Sequence, residues 1–346
     1  QWETSVDGLT WRFVLRANAR WSNGERVTAA DFVAGWRRAL DPATESGAAG
    51  LLAPILNARG VMTGRLAPEE LGVEAVDEST LVVRLAAPTP WLLELLSHPV
   101  SAPLYRPALQ QYGDDFTRPG RLVSNGPFHL SEWQPGAQVT LARNHNYWDR
   151  PAVAIDMVVY YPIEDQDEEL ARYRAGELHW TFDVPHHQLG WVRRRMGDEL
   201  TITPRMAVIW IGLNVTRPPF EASRELRRAL ALAIDRDLVV RSVTGAGEIP
   251  AYSWVPEMPG YPAQAPDWAG WPRRQQVDEA RRLYAAAGHG ARRALGMELL
   301  YPGGLNNRRL AIAIGATWRE TLGVQVRLRE EPFAEFLASR DDLGTT

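Results

Sequence analysis

The chain has 346 residues, of which 45% are apolar and 23% charged, and its formal net charge is −4 at pH 7. That length predicts two or more lobes rather than one compact core, and the dispersed arginines offer no basic stripe for a nucleic acid. All 38 basic residues are arginine and cysteine is absent, which excludes a Walker-loop lysine, Schiff-base and Ser-Lys chemistry, thiol catalysis and cysteine-based zinc sites.

The first region has the pattern of a small α+β lobe. Apolar and polar residues alternate from Leu9 to Leu15, which predicts a half-buried strand. Thr28 and Asp31 form a capping pair, and the helical spacing of the apolar residues that follow predicts a helix ending at Asp41-Pro42. A second pair of strands is predicted over residues 72 to 85.

The middle region begins with a hairpin. Turn signals predict two alternating strands between residues 128 and 143, followed by a dense apolar strand from 155 to 161. Acidic residues open a helix near 165, which Gly176 ends, and they suit the positive end of the helix dipole. Alternation from Leu178 to Phe182 then predicts another strand.

The third region is a second α/β unit. Ser223 caps a predicted helix, and residues 250 to 272, rich in proline and aromatics, predict a long ordered loop. Helix, strand, helix and strand are predicted in that order over residues 277 to 329, with a further helix after Pro332.

Several segments together resemble the periplasmic oligopeptide-binding proteins, the peptide and nickel class of solute receptors for ABC transporters. They occur in the family's order and run through nearly the whole chain, so that together they are far more specific than any one alone. The segments are "LTWRFVLRANARWSNGERVTAADFVAGWRRALDP", "SNGPFHLSEW", "LARNHNYWD", "YRAGELHWTF", "GLNVTRPPF", "RRALALAIDRD", "EIPAYSWVPE" and "LGVQVRL".

The resemblance implies an α/β fold of the type II periplasmic-binding-protein kind, with two jaws that close on a ligand and an additional α+β lobe. The additional lobe is expected over residues 1–118, part of the lobe carrying the chain termini over 119–214, and part of the opposing lobe over 215–346. A hinge is expected near "NVTRPPF". The resemblance also implies that the family's opening segment and a C-terminal portion lie outside this sequence.

Tyr147 and Trp148 raise a separate question, since they close a hairpin in a polar setting. The resemblance implies that they cover the edge of that hairpin as scaffold. Direct contact with a ligand is the alternative.

Three candidate ligand-binding residues lie near the end of the chain. Arg340 matches a family arginine that meets a peptide's terminal carboxylate, and its planar guanidinium suits that partner. A solvated arginine at a helix end is the alternative. Phe333 replaces a tryptophan of a side-chain pocket, and Asn307 replaces a histidine near the ligand carboxylate.

Four further candidates lie earlier in the chain. Trp210 and Asn214 stand where the family's chain passes the cleft on its way to the hinge, with a core position as the alternative for Trp210. Tyr252 and Trp254 line the opposing jaw in this interpretation, and packing within the loop is the alternative.

An enzyme has little support in the sequence. His186-His187 is the only histidine pair, and adjacent histidines do not share a helical face at metal-chelating spacing. The carboxylates of "EDQDEELARYRAGE" could form an acid/base pair, but at a helix start they serve the dipole and solvent. No G-x-S-x-G, H-E-x-x-H or phosphate loop occurs.

The hypothesis is therefore a noncatalytic, monomeric receptor without a cofactor, periplasmic or otherwise extracytoplasmic, and lipid-anchored through a preceding segment. It captures oligopeptides between its lobes and delivers them to an ABC-transporter membrane permease. A sensor or chaperone-like binder, a receptor for a nonpeptide solute and, last, a hydrolase remain as alternatives. A neighbouring permease gene would distinguish an importer receptor from a sensor.

Overall fold

A computed structural model describes residues 1–258, 260–262 and 264–341. The chain divides into two compact units, Gln1–Pro162 and Ile163–Thr346. This boundary falls inside the lobe predicted over residues 119–214, and the three-lobe division stays a prediction.

The first unit contains two antiparallel sheets and four helices. One sheet has the strand order β1-β2-β4-β3 and the other β5-β6-β7. The helices α1 to α4 are concentrated in the first two thirds of the unit. The bounds are β1 Trp2–Thr4, β2 Thr10–Val14, α1 Ala29–Leu40, α2 Ala58–Met62, β3 Val73–Ala75, β4 Thr80–Arg84, α3 Leu92–Leu95, α4 Arg106–Tyr112, β5 Phe128–Gln134, β6 Gln138–Arg143 and β7 Met157–Tyr160.

The core of the first unit is formed by α1 and the four-stranded sheet. Trp11 of β2 and Trp36 of α1 belong to one cluster of buried apolar side chains, and the Trp36 indole N–H donates to the carbonyl of Ser101 at 2.7 Å. The Asp31 carboxylate accepts the backbone N–H of Thr28 at 2.8 Å, so the predicted capping pair begins α1. The predicted first strand, helix and second strand pair are thus confirmed.

The three-stranded sheet is tied to the rest of the first unit through polar contacts. The backbone N–H of Ser22 donates to the carbonyl of Ser124 at 2.7 Å, and the Asn146 side chain donates to the carbonyl of Ser22 at 2.9 Å. The predicted hairpin is confirmed as β5 and β6, and the apolar strand after it as β7.

The second unit is built mainly from helices around a pair of parallel strands. Strands β8 and β9 pair in parallel with α10 between them in the chain, as the predicted order requires. A π-helical segment, Val239–Thr244, follows α8. The bounds are α5 Gln166–Arg174, α6 Leu189–Arg195, α7 Arg224–Ala233, α8 Arg236–Leu238, α9 Arg273–Ala286, β8 Gly296–Pro302, α10 Leu305–Leu322, β9 Gln325–Glu331 and α11 Phe333–Asp341.

Helices α7, α9 and α10 enclose the core of this unit. The Trp318 indole N–H on α10 donates to the carbonyl of Leu230 on α7 at 2.9 Å, and both residues are fully buried. Arg236 donates to the carbonyls of Ala231 and Ala251, both at 2.9 Å, and so joins the end of α7 to the following loop. The predicted Ser223 cap of α7 is confirmed by its bond from the Leu226 N–H.

The strand predicted from Leu178 to Phe182 is wrong. The segment is irregular, and Trp180 and Phe182 are exposed with their rings edge to face at 5.8 Å. Its backbone also bonds to a side chain, since the Phe182 N–H donates to Glu169 of α5 at 3.0 Å. An alternating sequence becomes a strand only where a neighbouring strand pairs with it, and no such pairing occurs within the described residues.

Candidate functional site

In residues 210–213, which precede α7, exposed and partly buried residues alternate. Ile211 and Leu213 pack against the core of the second unit, whereas Trp210 is 47% exposed. Trp210 and Gly212 are both exposed, whereas Ile211 between them is partly buried. The alternative of a core position for Trp210 does not describe this structure.

Trp210 and Trp254 form an exposed pair, called here the aromatic face. Their ring centroids lie 5.0 Å apart with a tilt of 47°. Trp254 is 70% exposed. Large aromatic surfaces of this kind bury much area when a ligand covers them, and they favour flat apolar groups.

Tyr252 lies only two residues from Trp254 but packs inward. Its ring meets Trp268 edge to face at 5.5 Å, and the Arg236 guanidinium stands 5.0 Å from its centre. Burial lowers the pKa of the Arg236 guanidinium, which nevertheless stays charged at neutral pH. The placement of Tyr252 therefore fits the loop-packing alternative, while a role in ligand binding stays a prediction.

Asn214 is engaged in a local turn. Its side-chain oxygen accepts the backbone N–H of Thr216 at 3.0 Å and the Thr216 hydroxyl at 2.7 Å. Side chains of this type commonly stabilise turns through such bonds. The turn shapes the chain just before the predicted hinge, and the ligand contact predicted for Asn214 stays a prediction.

Asn307 and Phe333 lie beyond the carboxyl ends of β8 and β9, a place called here the strand edge. Asn307 lies in the first turn of α10 and donates to the carbonyl of Gly303 at 3.0 Å, and Phe333 begins α11 and is 65% exposed. The Gly303 N–H donates to the Glu331 carbonyl at 2.8 Å and holds the two strand ends together. Ligands of open α/β sheets bind at this edge.

A short segment from Val184 to Gln188 is fastened to the start of α10. The Asn306 side chain accepts the backbone N–H of His186 at 3.0 Å and donates to the carbonyl of Val184 at 3.5 Å. Burial lowers the pKa of the half-buried His186 imidazole, while Glu248 and Asp183 act to raise it and Arg309 to lower it. The two hydrogen bonds of Asn306, the residue next to Asn307, join this segment to the first turn of α10.

Arg340 is exposed in the last turn of α11. A positive charge at this end of a helix is favoured by the helix dipole, which agrees with the helix-end alternative. The carboxylate-binding role of Arg340 stays a prediction.

The structure brings the seven predicted residues together only in part. Trp210 and Trp254 touch, and Asn307 and Phe333 share the strand edge. All seven belong to the second unit. No candidate was predicted at Gly212 or Asn306; the spacing of Gly212 two residues after Trp210 was the signal that could have indicated it.

Two kinds of feature are absent from the described residues. Across residues 1–258, 260–262 and 264–341, no three histidine, aspartate or glutamate side chains are grouped as a metal site would need. Over the same ranges, no helix combines the length and the apolar character of a membrane span. The acidic start of α5 is a helix cap, because Asp165 accepts the N–H of Asp167 at 2.8 Å.

The sequence and the fold define a class of bacterial solute-binding proteins. The family model described as "Bacterial extracellular solute-binding proteins, family 5 Middle" matches residues 1–345. The chain belongs to this family, and its fold is the α/β, type II periplasmic-binding-protein-like fold expected from the resemblance. Members of the family bind substrates and are not enzymes.

Three comparisons give the degree of similarity. The chain is 36% identical over 344 residues to the periplasmic oligopeptide-binding protein OppA of Salmonella typhimurium, covering 98% of this chain and 63% of that protein. It is 34% identical over 342 residues to the probable deoxycholate-binding periplasmic protein YgiS of Escherichia coli, covering 98% and 64%. The structure of Haemophilus influenzae OppA in complex with RPPGFSPFR superposes with a TM-score of 0.90 at 31% identity, covering 98% and 67%.

The chain thus spans less than two thirds of the length of these two curated relatives.

Proposed function

We propose that the protein is an extracytoplasmic receptor that binds oligopeptides and delivers them to an ABC-transporter permease. The observation that carries the proposal is the aromatic face, an exposed pair of tryptophans beside a well-packed core in a chain of this family. The receptor acts by reversible binding, as a monomer, without catalysis or a cofactor.

An extended peptide makes three physical demands that the second unit can meet. Its terminal carboxylate needs a charge partner, and the guanidinium of Arg340 offers two parallel donors. Its side chains need roomy apolar surfaces, which the aromatic face and Phe333 supply. Its polar groups need hydrogen-bond partners, and the Asn307 amide supplies an uncharged one at the strand edge.

A nonpeptide solute is the second candidate. The relative named as a probable deoxycholate-binding protein is 34% identical to this chain, which is close to the identity of the oligopeptide-binding relative. Two exposed indole rings also offer a surface for the apolar face of the fused-ring skeleton of deoxycholate.

Thermal unfolding of the full-length protein distinguishes the two candidates. A ligand at 100 times its dissociation constant adds about 2.7 kcal/mol of stability by mass action. We expect a library of short peptides to raise the melting temperature and deoxycholate to leave it unchanged. A rise with deoxycholate alone would transfer the function to the second candidate, and no rise with either would contradict both.

Location follows from the same proposal. The relatives are named as periplasmic proteins. A receptor that supplies a membrane permease must meet its ligand on the outer side of that membrane, so we place this protein outside the cytoplasm. Fractionation of cells that produce the full-length protein tests this placement.

A further inference from the structure

Trp210 folds back over its own chain at Gly212. A β-carbon added to Gly212 would lie 2.8 Å from Cζ3 of the Trp210 ring, 3.6 Å from Cε3 and 3.8 Å from Cη2. Carbon atoms that are not bonded prefer separations of about 3.5 to 4.0 Å. The indole of Trp210 therefore occupies the space that a side chain at position 212 would need.

The backbone gives no other reason for glycine at this position. Gly212 does not adopt a positive φ, unlike thirteen other glycines among the described residues, so its φ does not require glycine. Its neighbours Ile211 and Leu213 face the core, and Gly212 faces away from it. The close contact is with the far end of an exposed, flexible side chain, not with backbone.

The position of the Trp210 ring decides whether the aromatic face exists. The ring centroid lies 5.0 Å from that of Trp254, which is within the range of aromatic contact, about 4.5 to 7 Å. An alanine at position 212 would push the near edge of the ring outward by about 0.7 Å, from 2.8 Å to about 3.5 Å, and so change its distance and tilt against Trp254.

We propose that Gly212 is a positioning residue that holds the indole of Trp210 against Trp254, and that the resulting pair makes the receptor prefer ligands with aromatic side chains. The preference follows because two adjoining indoles bury a flat ring more completely than either does alone. The ligand half of the proposal rests on the proposed function, and the positioning half does not.

The test of positioning is spectroscopic. Neighbouring indoles produce an exciton couplet in circular dichroism, and the difference between the wild-type protein and Trp254→Leu isolates the contribution of this pair. We expect Gly212→Ala to lose most of that difference signal with an unchanged melting temperature. The matched control is Gly296→Ala in β8, where an added β-carbon meets nothing within 4 Å, and it should keep the full signal.

The test of selectivity uses two peptides that differ only in having phenylalanine or leucine at one position, with the full-length protein. We expect the wild-type protein to prefer the phenylalanine peptide, and Gly212→Ala to lose about three- to tenfold of that preference. In the Trp254→Leu background, Gly212→Ala should cause no further loss, because the pair is already gone.

Each contrary result overturns a defined part of the proposal. A full exciton signal in Gly212→Ala would overturn the positioning role. An equal loss of affinity for both peptides would overturn the selectivity. If the wild-type protein binds neither peptide nor any other, the proposed function and the ligand half fail together, while the spectroscopic result still decides the role of Gly212.

Discussion

Two partly exposed tryptophans, one in each unit of the molecule, have different neighbours. Trp148 in the first unit and Trp210 in the second are 39% and 47% exposed. The Trp148 carbonyl accepts the side-chain N–H of Asn18 at 3.2 Å, and the Arg16 guanidinium covers its ring at 4.1 Å. The ring of Trp210 instead meets Trp254, which is itself exposed.

The difference shows that exposure alone does not identify an aromatic residue that faces a ligand. A guanidinium over an indole contributes about 0.5 to 1 kcal/mol at an exposed site and already occupies one face of the ring. The Arg16 contact favours the scaffold interpretation of Trp148, which stays a prediction for Tyr147 and Trp148. The aromatic face formed by Trp210 and Trp254 is the better candidate for binding.

The largest effect is expected for Asn144, which anchors the segment around Trp148. Asn144 is 1% exposed. Its side chain donates to the carbonyl of Gly126 and accepts the N–H of Asn146, both at 2.9 Å. Asn144→Ala leaves these two partly buried backbone groups unpaired and should lower the free energy of unfolding by about 2 to 4 kcal/mol. Urea denaturation measures this loss, and the exposed Asn18→Ala serves as a control with a loss below about 1 kcal/mol. Equal losses would refute the anchoring role.

A second comparison separates two aromatics of one loop, Tyr252 and Trp254. Tyr252→Ala removes a ring packed on Trp268 and Arg236 and should lower the free energy of unfolding by about 2 to 3 kcal/mol. Trp254→Ala should change stability by less than about 0.5 kcal/mol but weaken ligand binding. Denaturation and calorimetry on both variants check the pair, and a larger stability loss for Trp254→Ala would reverse our assignment.

Arg340→Ala tests whether the Arg340 guanidinium binds the terminal carboxylate of a peptide. If Arg340 meets a peptide carboxylate, the variant should bind a peptide with a free C-terminus about tenfold more weakly, with little change for the amidated peptide. Calorimetry on the full-length protein measures both affinities. An equal loss for the two peptides would remove Arg340 from this role and leave it as a helix-end residue.

The smallest effect concerns pH. Burial lowers the pKa of His186 in the folded state below its ordinary value of 6.5, so the unfolded state binds more protons as the pH falls. The stability associated with His186 is therefore complete above pH 6.5 and is lost as the pH falls through this value toward the folded-state pKa. Unfolding free energies at about pH 7.5 and 5.5 should fall less in His186→Gln than in the wild-type protein. An identical fall in both would contradict this assignment.

Local signals were sufficient to predict much of the fold. The cap at Thr28 and Asp31, the alternation of β2 and the strand-helix-strand order around α10 each depend on neighbouring residues. The segment from Leu178 to Phe182 carries the same alternation as a strand, but its state depends on a partner distant in sequence. A local alternation of apolar and polar residues therefore does not predict whether a distant strand will pair with the segment.

The candidate site was less predictable for a related reason. Tyr252 and Trp254 are both aromatic and lie two residues apart in the chain, yet one packs inward and the other is exposed. The difference depends on neighbours in space: Tyr252 packs on Trp268 and Arg236. The spacing of Gly212 two residues after Trp210 indicates that the two can meet, and the direction of the ring shows that they do.

The most direct test of the account is mass spectrometry of the compounds that co-purify with the full-length protein, released by denaturation and compared with a mock purification. We expect a set of short peptides of mixed sequence, because a receptor that recognises termini and aromatic surfaces tolerates many sequences. A single nonpeptide compound, or no bound compound together with no stabilisation by any peptide, would contradict it.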